Sequence, residues 1–346
     1  MPDRLKIAIA GVGWAGSRHI EAIRELGDVY EIAGLIDNDS DHLSETADSF
    51  GISNQFASIK QAVESTDIDV IDIATPHTLH ESMAVEAAGF GKHVVVEKPM
   101  AMTVDEATNM IDAADQNNVR IFVAENHSYE PYISFLRDHV QSGKFLGEVT
   151  TASVAAGFRP RGEYSYPGRR AWLALPDQGG TGTWMLHGIH TMAGVRRVFG
   201  EVESIYMQEH KTKSFERDDV EGTLSALLTT ENGTSIHLTQ SPETRFRGNT
   251  GGYLIHGENG SIRATAYSYE LFSDEFAGEV TSYPASSLSS YALEFQSFSD
   301  AIRNGTSSPT DGVSERRTLA IIQAGFESLE SGVPVKIRDR FGELST

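Results

Sequence analysis

The sequence predicts an α/β protein in two parts: a doubly wound parallel sheet first, then an α+β domain built on an open, mostly antiparallel sheet. Three observations predict it. An apolar run enters a glycine-punctuated turn and then a helix at Lys6-Ile-Ala-Ile-Ala-Gly-Val-Gly-Trp-Ala-Gly-Ser-Arg-His19. Between residues 5 and 125 short apolar runs alternate with helical patterns, the rhythm of parallel strands covered on both faces. After Glu125 the rhythm gives way to strands of alternating apolar and polar positions separated by Gly, Asn and Ser, as in Thr223-Leu-Ser-Ala-Leu-Leu228. The expected domains are residues 1–125 and 126–346.

Gly11, Gly13 and Gly16 spell G-x-G-x-x-G. The first glycine permits the tight turn, the second lets backbone approach a pyrophosphate, and the third lets the helix pack on the strand. The helix start, with Trp14 and Ala15, offers N–H groups and a positive dipole end to phosphates. That helix, expected over Arg18–Leu26, stops at Gly27, and a second strand, Tyr30–Ile36, ends on Asp37, 21 residues beyond Gly16. This is where a dinucleotide fold places the acid that accepts from the adenosine ribose hydroxyls. The neighbour is Asn38 rather than an arginine, so NAD is favoured over NADP, whose 2′-phosphate the carboxylate would repel.

Helices are expected over Ser40–Phe50 and Ile59–Glu64, followed by a buried strand at Val70–Ala74. Pro76, in Thr75-Pro-His-Thr-Leu-His80, forces the chain out of the sheet. A helix over 81–89, a strand His93–Glu97 ending in Lys98-Pro99, a helix Val104–Asn117 and a strand Arg120–Ala124 follow; six strands are expected in the domain, of which these placements locate five. The second part opens with a helix over 130–142 and continues with strands near 147–157, 202–212, 220–230, 234–241, 252–256 and 261–266. Helices near 290–303 and 312–331 follow, with Gly305 and Gly332 as stops.

Composition excludes several functions. At 346 residues two domains are the natural expectation. With no cysteine there are no disulfides, no thiolate catalysis and no cysteine-bound zinc. The net charge of −21 argues against nucleic acid or an anionic membrane as partner. The first 150 residues hold 10 Lys/Arg against 25 Asp/Glu, so most of the acid sits on the nucleotide half. No apolar run is long enough to cross a bilayer and no signal-peptide pattern opens the chain, so a cytoplasmic location is expected.

The ordered set of G-x-G-x-x-G at 11–16, Thr75-Pro76 with His80, Glu97-Lys98-Pro99, Gly143 to Gly147-Glu148-Val149, and Gly179-Gly180 leading to His190 resembles the glucose–fructose oxidoreductase / inositol dehydrogenase / rhizopine-catabolism family. The resemblance covers nearly the whole chain. It implies a Rossmann domain followed by an α/β domain whose open sheet forms an oligomer interface, hence a homodimer or homotetramer. The implied activity is NAD(P)-dependent oxidation or reduction of a secondary alcohol on a sugar or cyclitol.

Lys98, one of eight lysines, lies at the carboxyl edge of a buried strand, where open α/β sheets bind ligands. There it can donate to a substrate hydroxyl, and the resemblance gives it a catalytic role beside Glu97, with Pro99 after a cis peptide bond. His190 is the second catalytic candidate, because loss of hydride from a carbinol carbon needs a base for the hydroxyl proton. Thr75, Pro76, His80, Glu97 and Asn126 are expected at the cofactor. His127, Tyr129, Trp172 and His187 are expected at the substrate. The family's aspartate four residues before the histidine is Leu186 here, and its later acid is Ala193, so the acid–histidine pairing is absent. His187, three residues from His190, could replace it on one helix face. The same spacing would suit a metal pair with Glu125 or His127, but a polar substrate pocket is the preferred reading and no metal is expected. Arg159, Arg161, Arg169 and Arg170 form a cationic run suited to a carboxylate or phosphate, with Arg159 as a substrate contact. The alternatives are an NAD-dependent glycosidase or lyase working by transient oxidation, a dehydrogenase of a carboxylated cyclic diol, and a nucleotide-sensing regulator without turnover.

Overall fold

The opening apolar run is strand β1 (Leu5–Ala10), followed by α1 (Trp14–Glu25), β2 (Tyr30–Ile36), α2 (Ser40–Phe50), β3 (Gln55–Phe56) and α3 (Ile59–Ser65). Next come β4 (Val70–Ile73), α4 (His80–Gly89), β5 (His93–Glu97), α5 (Val104–Gln116), β6 (Ile121–Ala124) and α6 (Pro131–Ser142). Then follow β7 (Val149–Gly157), α7 (Ile189–Phe199), β8 (Val202–His210), β9 (Thr223–Thr230), β10 (Ser235–Ser241), β11 (Gly252–Gly257), β12 (Ser261–Ala264), β13 (Ser268–Phe272) and β14 (Thr281–Ser282). After these stand α8 (Ser290–Asn304), α9 (Gly312–Ser331), β15 (Val335–Lys336) and α10 (Ile337–Phe341). The computed structural model describes residues 4–157, 172–173, 182–213, 215, 221–244, 246, 250–275 and 278–344. Two units emerge: Met1–Asn126 with Ser287–Arg316, and His127–Ser286 with Arg317–Thr346.

The first unit holds a six-stranded parallel sheet in the order β3-β2-β1-β4-β5-β6. This is the dinucleotide-fold order, with the crevice for a ligand beyond the carboxyl ends of β1 and β4. Both faces of the sheet are covered, so β1 and β4 are apolar almost throughout and their last four residues are all buried. The sixth strand, β3, pairs only Leu35 with Gln55 and Ile36 with Phe56, too short a run to leave a period in the sequence. Helix α1 starts at Trp14 rather than at Arg18, because Gly13 itself is the N-cap. Side chains cap α2 (Asp39), α3 (Ser58), α5 (Thr103) and α8 (Ser289), each contributing about 1 kcal/mol.

Helix α8 was expected in the second part; it belongs to the first unit. Its Ala292, Phe295, Phe298 and Ala301 face is buried in the same core as Ile7, Val95 and Phe122. The Phe298 ring stacks on Phe122 at 5.0 Å between centroids, and Tyr30 Oη donates to the Phe295 carbonyl at 2.7 Å. Glu25 at the end of α1 receives Ser289 N–H at 2.7 Å and Ser289 Oγ–H at 2.6 Å. Beyond α8 the chain pairs with β6, where Val123 N–H donates to Thr310 O at 2.8 Å.

The second unit holds a nine-stranded sheet in the order β14-β13-β12-β11-β7-β10-β9-β8-β15. Every pairing is antiparallel except β7 with β10. Strand β9 shows why one face is open: Leu224, Ala226, Leu228 and Thr230 point inward, while Ser225 and Leu227 point out, Leu227 being 43% exposed. Arg196 on α7 is buried with its charge met by Glu201 at 2.7 and 2.8 Å and by Thr318 Oγ1 at 2.7 Å. Those guanidinium contacts hold the Glu201 carboxyl below its ordinary range against the opposing effect of burial. Among the described residues no helix is long and apolar enough to cross a membrane.

Candidate active site

The three glycines of the first turn are required for three different reasons. Gly11 has φ +90°, and a Cβ there would lie 2.6 Å from Ala74 O. A Cβ on Gly16 would lie 2.1 Å from Gly11 O, so helix and turn can close only over a bare backbone. A Cβ on Gly13 would meet no protein atom within 4 Å. Packing therefore does not demand a glycine at 13, whereas close approach of a pyrophosphate does. No side chain caps the α1 N-terminus, which leaves the helix start facing that approach.

Asp37, half-buried at the end of β2, accepts Val12 N–H on Oδ2 at 3.1 Å and Asp39 N–H on Oδ1 at 2.9 Å. The sequence pointed to a ribose acceptor, and the carboxylate also ties the glycine turn to the β2 exit. Each of its oxygens keeps a further lone pair for a hydroxyl. Asn38 is exposed and Ala15 half-buried; Trp14 is 50% exposed, with the Arg18 guanidinium 5.6 Å from its ring. With no side-chain cap on the turn and an acid at the second strand end, these residues fit a dinucleotide with free ribose hydroxyls.

At the β4 exit, Thr75 and Pro76 are half-buried and lead into a 3-10 turn at His77–Leu79. His80, expected at the cofactor, is fully buried, with Nδ1 3.0 Å from Pro99 O and Nε2 3.0 Å from Thr75 O. It is corrected to a strut between the turns that follow β4 and β5: fully buried, its ring lies between the two carbonyls, and its one N–H donates to whichever of them the tautomer selects. Burial depresses its pKa, and the two carbonyls only partly oppose that. Glu97 Oε2 receives the Lys98 N–H at 2.8 Å, Lys98 is half-buried, and the Lys98–Pro99 peptide is cis, as the resemblance implied. Asn126 is buried and its Nδ2 donates to Ser290 Oγ at 3.1 Å, a partner the sequence did not suggest.

In the second unit, His127 and His190 stack with centroids 4.3 Å apart and planes 22° from parallel. The ring stacked on His190 is thus His127 from the turn after β6, and not His187. Leu186 and Ala193 are both buried, so the positions of the family's two acids belong to the apolar interior here. His187, Tyr129 and Trp172 are half-buried; Arg159, with the whole cationic run, lies outside the described residues. Among the described residues no three His, Asp or Glu side chains converge as metal ligands.

Trp184–Gly188 forms a π-helical turn running into α7, a feature concentrated at functional sites. Trp184 explains the local sequence: its fully buried indole packs where a Cβ on Gly188 would be 2.4 Å away, and its Nε1–H donates to Ile322 O at 2.8 Å. The N–H groups of Thr183 and Trp184 are met by Glu221 Oε2 at 2.7 and 3.3 Å. Burial raises the Glu221 pKa.

The turn, the strand order and the Lys98 strand end define a dinucleotide-binding oxidoreductase. The chain belongs to the oxidoreductase family whose profiles match residues 5–125 as its NAD-binding Rossmann fold and 137–337 as its C-terminal alpha/beta domain. D-apiose dehydrogenase of Paraburkholderia graminis is 27% identical over 360 residues, covering 97% of this chain and 90% of the relative. Levoglucosan dehydrogenase of Pseudarthrobacter phenanthrenivorans is 25% identical over 245 residues, covering 66% of this chain and 62% of the relative. Among solved structures, an oxidoreductase from Agrobacterium radiobacter in complex with NAD+, L-tartaric acid and magnesium superposes with TM-score 0.86 at 21% identity, covering 98% of this chain and 100% of that one. A levoglucosan dehydrogenase complex with NADH and levoglucosan gives TM-score 0.85 at 20% identity, covering 96% and 99%.

Proposed function

We propose that the chain is an NAD-dependent dehydrogenase or reductase of a secondary alcohol or ketone on a sugar, cyclitol or related cyclic polyol, with Lys98 and His190 managing the hydroxyl proton. The observation that carries this reading is Gly13: between two glycines that packing requires, it alone is unexplained without a ligand laid on the backbone. The relatives named for apiose and levoglucosan support the polyol class. When bound, NAD supplies the hydride acceptor. The ammonium of Lys98 donates to the substrate oxygen and so lowers the cost of removing its proton, and neutral imidazole at His190 accepts that proton. His127, stacked on His190, fixes the plane of that ring. Thr75, Glu97 and Asn126 support the cofactor from the strand ends, while Tyr129, Trp172, His187 and Arg159 are substrate contacts in this reading.

A panel of polyols and sugars offered with NAD and with NADP, followed by the absorbance of the reduced nicotinamide, tests it. Turnover of at least one cyclic polyol with NAD, and weaker use of NADP, is the expected result. No turnover with any of them, despite NAD binding, would favour the nucleotide-sensing regulator. The working location in this reading is the cytoplasm. The working form is a homodimer or homotetramer joined through the outward face of the nine-stranded sheet, where Leu227 and His237 are exposed; a monomer by light scattering would exclude it.

A further inference from the structure

Strand β4 reads Val70-Ile-Asp-Ile73, and Asp72 in its middle is completely buried. A carboxylate there needs a partner, and His19 on α1, also completely buried, supplies one: its Nδ1 lies 3.0 and 2.9 Å from the two Asp72 oxygens. On the other side of the same ring, Nε2 lies 3.3 Å from Glu97 Oε1. Nδ1 donates to Asp72, while Nε2 makes no hydrogen bond among the described residues and faces Glu97 at ion-pair distance, so the ring attracts both carboxylates only as imidazolium. The two carboxylates raise the His19 pKa well above its ordinary value, against burial, which is the largest single influence and acts downward. The other oxygen of Glu97 is the one that receives the Lys98 N–H. Packed against the group from α8 are the Tyr291 and Phe295 rings, 6.5 and 5.1 Å from His19.

We propose that His19 is a positioning residue for Lys98: gripped by Asp72 on one side and Glu97 on the other, it fixes the carboxylate that holds the Lys98 N–H and so links the helix behind the glycine turn to the presentation of the lysine. The proposal rests on the reading of Lys98 as the proton-handling group. Sequence order hides the chain of contacts, since residues 19, 72 and 97 come from α1, β4 and β5 and meet only because β1 lies between β2 and β4. The other titratable or charged groups that bear on the cluster are Arg18 on α1, Tyr30 on β2, His80 on α4, Glu125 after β6, and Tyr291 and Glu294 on α8. Burial raises the Glu294 pKa well above its ordinary value, which disfavours a further carboxylate charge beside His19.

The test measures the lysine itself. Full-length wild type, His19→Gln, Asp72→Asn and Glu97→Gln are treated with an amine-reactive ester, and acylation of Lys98 is quantified by peptide mass spectrometry against Lys60, an exposed reference on α3. NAD binding, kcat, KM and the pH profile of kcat are recorded on the same samples. In the variants that keep a cooperative unfolding transition, the Lys98-to-Lys60 ratio is expected to change by about threefold or more, through altered access and basicity. There kcat falls about ten- to a hundredfold, its pH limb moves, and NAD affinity is kept. Glu97→Gln, which keeps an acceptor oxygen for the Lys98 N–H and drops only the charge facing His19, carries the test should the other two fail to fold. An unchanged ratio and pH limb in the folded variants overturns the proposal, as does a loss of activity that only follows a loss of folded protein. Because acylation needs no substrate, an inactive wild type would remove the polyol reading and still leave the positioning role decided by the ratio.

Discussion

Glu294 allows the electrostatics of the first unit to be tested quantitatively. Its side chain is completely buried on α8, and among the described residues neither oxygen has a hydrogen-bond partner. Burial is the largest cause raising its pKa well above the usual carboxyl range; Glu97, Glu125 and Asp72 raise it further, and only His19 opposes. The folded chain therefore keeps a proton on Glu294 that the unfolded chain gives up once pH exceeds the ordinary value of 4.5. In the window from there to the raised folded pKa, the native state binds one proton more, so stability falls as pH rises, by about 1.4 kcal/mol per pH unit. Glu294→Gln keeps the shape and removes the proton. The difference in stability between variant and wild type, in which the titration of unaffected groups cancels, is expected to grow in the variant's favour by about 1.4 kcal/mol per unit from pH 5 upward. His19 acts in the same direction in both proteins: its raised pKa stabilises below 6.5, and that stability is lost as pH rises through the folded value. Native-state hydrogen exchange of the β1 and β4 amides, read at several pH values, reports this unit directly. A difference that stays constant with pH would refute a buried, protonated Glu294.

Gly13→Ala meets no atom of the described residues within 4 Å and is expected to fold with a loss of at most about 1 kcal/mol from its N-cap position, yet to weaken NAD binding by about tenfold or more in a calorimetric titration. His127→Phe keeps the stacked ring and removes its nitrogens; kcat is expected to fall about 10²-fold while NAD affinity is unchanged, and an unaltered kcat would reduce His127 to packing. Phe298→Ala empties the stack on Phe122 and is expected to cost about 3–5 kcal/mol, read by hydrogen exchange of the β6 amides.

Much of the first unit was legible because its signals are local. A glycine turn between an apolar strand and a helix, and an acid at the next strand end, each depend on a few consecutive residues. The two-residue β3 was not placed, because two residues carry no period. Helix α8 was legible as a helix but its packing into the core of the first unit was not, since periodicity shows an apolar face without showing which core receives it. His80 is expected at the cofactor through the motif it shares with Thr75-Pro76 in the family resemblance; the two carbonyls beside its ring belong to residues 19 and 5 positions away in sequence. The His19–Asp72–Glu97 group escaped for the same reason. A usable signal was present in Asp72, a charged residue inside a central strand buried on both faces, which requires a buried partner. The pairing of His127 with His190 likewise spans 63 residues and depends on folding of the second unit.

The most direct measurement compares wild type with Lys98→Met in single-turnover reactions at saturating NAD and polyol, following formation of the reduced nicotinamide. Equal NAD affinity with a rate about 10²–10⁴-fold slower in the variant is the expected result. Reduction at the wild-type rate without the amine would contradict the central claim that Lys98 assists removal of the substrate proton.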